Sequence, residues 1–355
     1  MYVRMYVHLL RSKAAAVWHT KKTNKARGRR MKVFITGGGG FIGYRIARAI
    51  LAGGQLADGE GKPQKVTQVT LFDTAFPPVA DARIKCVVGD VSSPAAIEAA
   101  LDKDTASVFH LAAVVSGGAE ADFDLGMKVN LDGCRVLLEA CRKLVRPPRF
   151  VLASSVAAFG GDMPDVLDDS TTPNPQTSYG AQKVISEYLV TDYSRKGFID
   201  GRSLRLPTIV VRPGKPNLAA SSFASGIIRE PLNGQVSECP VDQDTGVWLL
   251  SPGKVVQNFI RAHDLPSASW GSRRVVNLPG ITASVKEMVE AMGAIAGAKV
   301  AERVQWKPEA RIQAIVQTWP IRFRTERALA MGFQADADIA SVIRDYIRDE
   351  NITPA

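Results

Sequence analysis

A doubly wound parallel α/β sheet with a smaller C-terminal lobe is the fold class the sequence predicts, and three observations predict it. Short β-rich runs alternate with helical patterns from Met31 onward, the order that lays parallel strands side by side with helices over both faces. A glycine-rich turn, "TGGGG" at 36–40, joins the first such run to the first helix. The chain of 355 residues is 46% hydrophobic and 23% charged, enough to bury one large domain or a domain with an attached lobe.

The first strand is "KVFIT" at 32–36, and Ile42, Ile46 and Ile50 then recur every fourth residue, the spacing of one helix face. "GGQLADGEGKPQ" at 53–64 is Gly-rich and polar and reads as a surface loop before the second strand, "VTLFD" at 69–73. "IKCVVGD" at 84–90 is the third, and Ser92 and Ser93 before Pro94 read as a cap with a first-turn proline. "SVFHLAA" at 107–113 is the fourth strand, and a helix through Val129 to Leu144 leads to the fifth, "RFVLASS" at 149–155. "TSYGAQKVISEY" at 177–188 opens the next helix, and "RSLRLPTIVV" at 202–211 follows it. Residues 212–240 then turn rich in Pro, Ser, Gly and Asn, as a binding loop is. Beyond them, helical runs such as Val285 to Ala296 behind Ser284 mix with short strands, without an internal repeat.

The formal net charge is +10, which raises the question of a nucleic-acid partner. Arg4, Arg11, Lys13, Lys21, Lys22, Lys25, Arg27, Arg29 and Arg30 all lie in residues 1–30, beside no Asp or Glu. Taking those nine from the 45 Lys and Arg leaves 36 against 35 Asp and Glu. The nearly neutral remainder argues against nucleic acid. Residues 1–30 read as a disordered basic extension or an over-extended start, with a mitochondrial transit peptide as the alternative. The longest apolar runs, such as "FHLAAVV" from Phe109, fall short of the roughly 18 residues of a membrane span. Cys86, Cys134, Cys141 and Cys239 show neither CxxC spacing nor neighbouring histidines. They indicate no metal site and no disulfide framework, and read as buried thiols of a reducing, cytoplasmic compartment.

Within "TGGGGFIG" at 36–43, Gly37, Gly40 and Gly43 stand at the spacing that lets a backbone turn sharply against a pyrophosphate resting on helix N-terminal amides. Taken alone, four glycines are also a tight turn. Asp73 closes the second strand, where a carboxylate accepts from a ribose and repels a 2′-phosphate, so the expected cofactor is NAD rather than NADP. It lies 36 positions beyond Gly37, more than the usual spacing of about 20, and the Gly-rich insertion accounts for the excess. Asp90, ending the third strand, is placed to reach the adenine, or equally to cap the helix at Pro94.

Tyr179 and Lys183 stand four apart in a helical run, and such a pair arises often by accident. What singles it out is order: a dinucleotide loop, then Ser155 at a strand's carboxyl end where ligands of open α/β sheets bind, then Tyr179 and Lys183. Ser154 reads as an ordinary polar strand-end residue, and His110 as a satisfied core histidine. In this combination the chain, from Met31 onward, resembles the extended short-chain dehydrogenase/reductase superfamily, with its TGxxGxxG loop, strand-five Ser or Thr, and YxxxK helix. "KVNLDGCRVLLEAC" carries Asn130 where relatives have a structural Asn, and "NFIRAHDLP" resembles their late segment ending at Asp264. The resemblance implies a Rossmann-type fold. It implies cofactor contacts at Gly37, Gly40, Phe41, Ile42, Gly43, Asp73, Asp90, Val91, Leu111, Ala112, Ala113, Asn130, Tyr179, Lys183 and Pro207. Tyr179 would take the hydroxyl proton, Ser155 would hold the same oxygen, and Lys183 would fix the nicotinamide ribose and lower the phenol pKa.

Val156 and Ala157 stand where dehydratases of the superfamily carry an acidic pair, which argues against dehydration. Thr208 replaces the Asn usual in nucleotide-sugar epimerases, and the texture of residues 202–235 resembles the D-erythronate dehydrogenase branch. That likeness implies NAD-dependent oxidation of a small aldonic acid at C2. Expected substrate contacts are Ser116, Ser155, Tyr179, Thr208, Arg212, Ser221 and Ser222, with Arg212 a carboxylate fork or, alternatively, a loop salt bridge. Arg229 is a weaker candidate for the carboxylate. The alternatives kept are a nucleotide-sugar epimerase with retained NAD and a non-catalytic NAD sensor. The expected division is an extension at 1–30, an NAD-binding unit at 31–211 and a mainly substrate-binding lobe at 212–355, with a homodimer possible and no nucleic-acid or membrane partner.

Overall fold

The computed structural model describes residues 31–214 and 221–353. The basic segment 1–30, with the readings attached to it, lies outside the described residues. The first seven strands are β1 (Met31–Thr36), β2 (Gln55–Ala57), β3 (Pro63–Asp73), β4 (Ile84–Val88), β5 (Thr105–His110), β6 (Arg149–Ser155) and β7 (Asp200–Leu206). They are followed by β8 (Thr208–Ile209), β9 (Ser237–Cys239), β10 (Gly246–Leu250), β11 (Val275–Asn277), β12 (Ile281–Ser284) and β13 (Val304–Trp306). The main sheet runs β11–β7–β6–β5–β1–β3 with every pair parallel, and β4 adds to β3 in the same sense. Strand order reverses between β1 and β5, so a crevice opens at the carboxyl ends of those strands, where such sheets take ligands.

Both faces of this sheet are covered, and strand alternation divides the core between them. Val33, Ile35, Phe109 and Val151 point to one face with Ile46 and Ile50 of α1 (Phe41–Gly53). Phe34, Val108, Phe150 and Leu152 point to the other. There they meet Ile97 of α2 (Pro94–Ala100), then, beyond α3 (Ser116–Ala121), Leu137 and Leu138 of α4 (Gly133–Arg142) and Val190 of α5 (Ser178–Arg195). Successive side chains alternate between faces, and because each face is buried the strands read as continuous apolar runs rather than alternating ones. Ser93 caps α2, accepting from the Ala96 amide at 3.3 Å, with Pro94 in the first turn as its spacing implies.

A second apolar cluster gathers β10 and β12 with α6 (Ser222–Leu232). After it α7 (Pro252–Asp264) returns to the main sheet, while α8 (Val285–Ala296) and α9 (Ile339–Asp349) complete the second cluster. The fold-class expectation holds. Four expectations are corrected. The insertion at 53–64 is no surface loop: β2 pairs antiparallel with the start of β3, and Leu56 is 1% exposed in the main core. The turn is closed by the Asp58 carboxylate, which accepts from the Glu60 and Lys62 amides at 3.0 Å each. Cys86 is exposed rather than buried, because β4 has only β3 beside it. The strand at 107–113 stops at His110, and the run read as one strand at 202–211 breaks at Pro207, which has no N–H for a ladder, so that β8 joins β10 and β12 instead.

Candidate active site

The glycine turn passes from β1 into α1 at the crevice. Gly37 has φ +69°, and a Cβ there would stand 2.7 Å from the Ala112 nitrogen and the Leu111 carbonyl carbon, so only glycine lets the two loops touch. Gly43 is packed as closely from the helix side, with the Gly37 oxygen 2.2 Å from where its Cβ would be. Gly40 is the N-cap of α1 and brings no side chain to its first-turn amides, at Phe41, Ile42 and Gly43. Those donors and the positive end of the helix are left for an anion. Asp73 stands at the rim, its Oδ2 accepting from the Gly39 amide at 3.0 Å and its Oδ1 from the Thr74 amide at 2.7 Å. A carboxylate oriented in this way keeps acceptor capacity for two ribose hydroxyls. The residues present therefore fit a dinucleotide pyrophosphate and its adenosine ribose.

Other predicted contacts are tied to the protein itself. The Asp90 carboxylate accepts from the Ser92 amide and hydroxyl at 2.9 and 2.7 Å and pairs with Lys128 at 3.0 Å, so Ser92 and then Lys128 hold its pKa below the usual range. Val91 is buried against Gly133. The Asn130 amide spans the Val114 backbone, accepting from its N–H at 2.8 Å and donating to its oxygen at 3.1 Å, and donates also to Gln182 Oε1 at 2.7 Å. It thereby sets the course of Leu111, Ala112 and Ala113 along the crevice up to Ser116 at the start of α3. His110 is a core residue: it bonds Thr36 Oγ1 at 2.6 Å, and burial pushes its pKa down to about 3.

Thr177 caps α5, accepting from the Gly180 amide at 3.1 Å, so Tyr179 falls in the first turn and Lys183 one turn on. The structure brings both to the end of β6. Ser155 Oγ accepts from the Ala157 amide at 3.1 Å and hydrogen-bonds the Tyr179 phenol. Lys183 is buried, donates to the Ala153 oxygen at 2.8 Å, and stands 5.4 Å over the Tyr179 ring. The expected depression of the tyrosine pKa by Lys183 is not what the geometry gives. Burial pushes Tyr179 up to about 12, while Ser155 and Arg212 pull it the other way. Burial also draws Lys183 down to about 8, against Cys134 and Glu187. The ammonium is turned to the strand carbonyl, and the cation acting on the phenol is Arg212.

Arg212 follows β8 and is held by α6 at both ends of its peptide. Its N–H donates to Ser225 Oγ at 3.0 Å, and its oxygen accepts from Arg229 Nη1 at 2.7 Å. Its guanidinium donates to Ser221 Oγ at 3.2 Å and pairs with no carboxylate among the described residues. Arg229 instead pairs with Glu230 at 2.6 Å, the salt-bridge alternative. Thr208 and Pro207 lie at the start of β8, and Ser222 opens α6. Sequence reasoning missed Gln182, Ser225 and above all Glu187, which is buried and paired to Arg205 at 2.6 Å. The signal for Glu187 was the same four-residue period extended one step, 179, 183, 187.

Comparison with known proteins agrees with this geometry. The chain is 54% identical over 323 residues to D-erythronate dehydrogenase of Cupriavidus necator, covering 91% of this chain and 99% of the relative. It is 43% identical to D-erythronate dehydrogenase of Haemophilus influenzae, covering 89% and 99% respectively. A solved structure, the nucleoside-diphosphate-sugar epimerase from Agrobacterium tumefaciens, superposes with a TM-score of 0.85 at 37% identity, over 94% of this chain and 98% of that one. The NAD dependent epimerase/dehydratase family model matches residues 33–272, and with the glycine cradle, the Asp73 rim and the Tyr179–Lys183 helix on one crevice, the chain belongs to that family.

Proposed function

We propose that the protein oxidises D-erythronate at C2 to the 2-oxo acid, using NAD. The observation that carries this reading is Ser155, Tyr179 and an Arg212 guanidinium that pairs with no carboxylate among the described residues, together at one crevice mouth, in a chain 54% identical to a D-erythronate dehydrogenase. NAD, when bound, accepts the hydride that leaves C2. Gly37, Gly40, Gly43 and Asp73 hold the dinucleotide, and Lys183 holds the nicotinamide ribose. Ser155 donates to the substrate oxygen and Tyr179 takes its proton, so the C–H electron pair departs as the C=O bond forms. Arg212 grips the carboxylate with its fork, supported by Ser116, Thr208, Ser221 and Ser222, and its charge lowers the phenol pKa in the same step. A charge-assisted contact of this kind contributes about 1.5–3 kcal/mol.

Residues 212–355 form the main substrate side of this site, although α7 and β11 from the same stretch pack on the NAD-binding sheet. A homodimer is part of the proposal: Phe123 (58% exposed) and Leu125 lie on a short helix packed against α5, which itself exposes Ile185 and Tyr188 (66% exposed), and these apolar side chains suit a second copy. Tyr188→Glu should then yield monomers by light scattering, and an unchanged mass would contradict this face. The proposed location is the cytoplasm, where free thiols persist; among the described residues no helix is long and apolar enough to cross a membrane.

Epimerisation of a nucleotide sugar with retained NAD is the second reading, favoured by the likeness to the Agrobacterium tumefaciens epimerase structure. A panel of four-carbon aldonates and UDP-sugars, followed by NADH absorbance, separates the two. The proposal expects NADH with D-erythronate alone. UDP-sugar turnover without net NADH would replace it.

A further inference from the structure

Tyr179, Lys183 and Glu187 form one stripe on α5, four residues apart, and each hooks a different residue at the end of β6. Tyr179 bonds Ser155, Lys183 donates to the Ala153 oxygen at 2.8 Å, and Glu187 accepts from the Ser154 hydroxyl. Glu187 is 3% exposed and is held from the far side by Arg205 of β7, whose Nε and Nη2 donate to its two oxygens at 2.9 and 2.6 Å. Arg205 is in turn fixed over the Phe159 ring at 4.7 Å and donates to Asn277 of β11 at 3.4 Å.

We infer that Glu187 is a positioning residue for the reaction: it is the third rung that locks α5 to the end of β6, and it supplies the negative charge facing the Lys183 ammonium. The inference rests on the roles proposed above for Tyr179 and Lys183. Tyr179 and Glu187 from its own helix, Cys134 from α4 and His110 from β5 face Lys183, with the Arg205 guanidinium of β7 behind Glu187 as its paired cation. The Cys134 thiol, pushed up to about 11 by burial, and His110, pushed down to about 3, are both neutral near pH 8. Glu187 is therefore the anion that keeps the buried ammonium charged as pH rises. Ser154 and Arg205 occupy its oxygens, which fixes the carboxylate where that charge acts.

The test is the pH dependence of NAD affinity and of kcat/KM in Glu187→Gln, which keeps an oxygen acceptor and removes the charge. The ratio of variant to wild type should fall with rising pH, by about tenfold between pH 6.5 and 9, in both readouts, as Lys183 loses its proton earlier. Glu187→Asp should return the ratio toward a constant value. Where the single variant fails to fold, Glu187→Gln with Arg205→Gln removes both buried charges together, and a ratio falling in the same direction but less steeply is expected, because the Arg205 cation is lost with the carboxylate. A ratio independent of pH would make Glu187 a structural residue only and overturn the inference. Full turnover and full NAD affinity in Lys183→Met would overturn the site assignment itself, whereas an inactive Lys183→Met beside a flat Glu187→Gln ratio would overturn the role of Glu187 alone.

Discussion

At the scale of single residues, the proposed chemistry turns on the phenol of Tyr179. A group pushed up to about 12 by burial is protonated at neutral pH, so turnover should climb as pH rises and level off near pH 8, where Lys183 begins to lose its proton. Tyr179→Phe should abolish turnover while leaving NAD affinity within a few-fold, and more than a tenth of wild-type turnover in that variant would exclude the phenol as the required base. Asp73 belongs to the same scale. Its carboxylate is fixed by the Gly39 and Thr74 amides, so Asp73→Ala should weaken NAD and relax its preference over NADP. Equal use of both cofactors by the wild type would remove that assignment. These residues were legible because each sits in a local pattern: glycine spacing, a strand-end acid, an i, i+4 pair. Arg212's action on the phenol was not, since it depends on α6 holding a loop from 13 to 17 residues downstream.

Elements show where composition misleads. The stretch 53–64 carries Gly, Asp, Glu and Lys in the proportions of a loop, yet it folds back as β2 and drives Leu56 into the main core. The Ala57 amide donates to the Asp264 carboxylate at 2.8 Å, tying the hairpin to the end of α7. Both partners lie beyond the window in which periodicity can be read. Leu56→Ala should cost about 2–4 kcal/mol of stability, the range for a truncated core leucine. A loss under about 0.5 kcal/mol, typical of a surface position, would contradict its core placement. The strands of the main sheet were legible for the opposite reason, because burial on both faces writes itself as unbroken Val, Ile, Leu and Phe runs.

The molecule as a whole carries buried polar groups that link its stability to pH. Burial pushes His263 down to about 4 and His110 down to about 3. Both pKa values are depressed below the unfolded value near 6.5, so their contribution is intact above that pH. Below it the unfolded chain takes up protons that the folded chain refuses, and stability falls by about 1.4 kcal/mol per pH unit for each histidine. His263→Gln should reduce the slope of stability between about pH 6 and 4.5 by roughly 1 kcal/mol per unit, measured by urea melts, and an unchanged slope would contradict a buried neutral imidazole. The sequence marks His110 as a core residue but is silent on the pair that His263 makes with Ser107 at 2.8 Å, 156 positions away. In the proposed function, Asp73, Ser155, Tyr179, Lys183 and Arg212, drawn from β3, β6, α5 and the segment after β8, form one crevice that moves a hydride out of a small acid and into free NAD. Following D-erythronate deuterated at C2 tests it most directly. One equivalent of deuterium should appear on the nicotinamide of released NADH for each 2-oxo acid formed, with none in Tyr179→Phe. Deuterium returned to a sugar product, or lost to water without NADH release, would contradict the account.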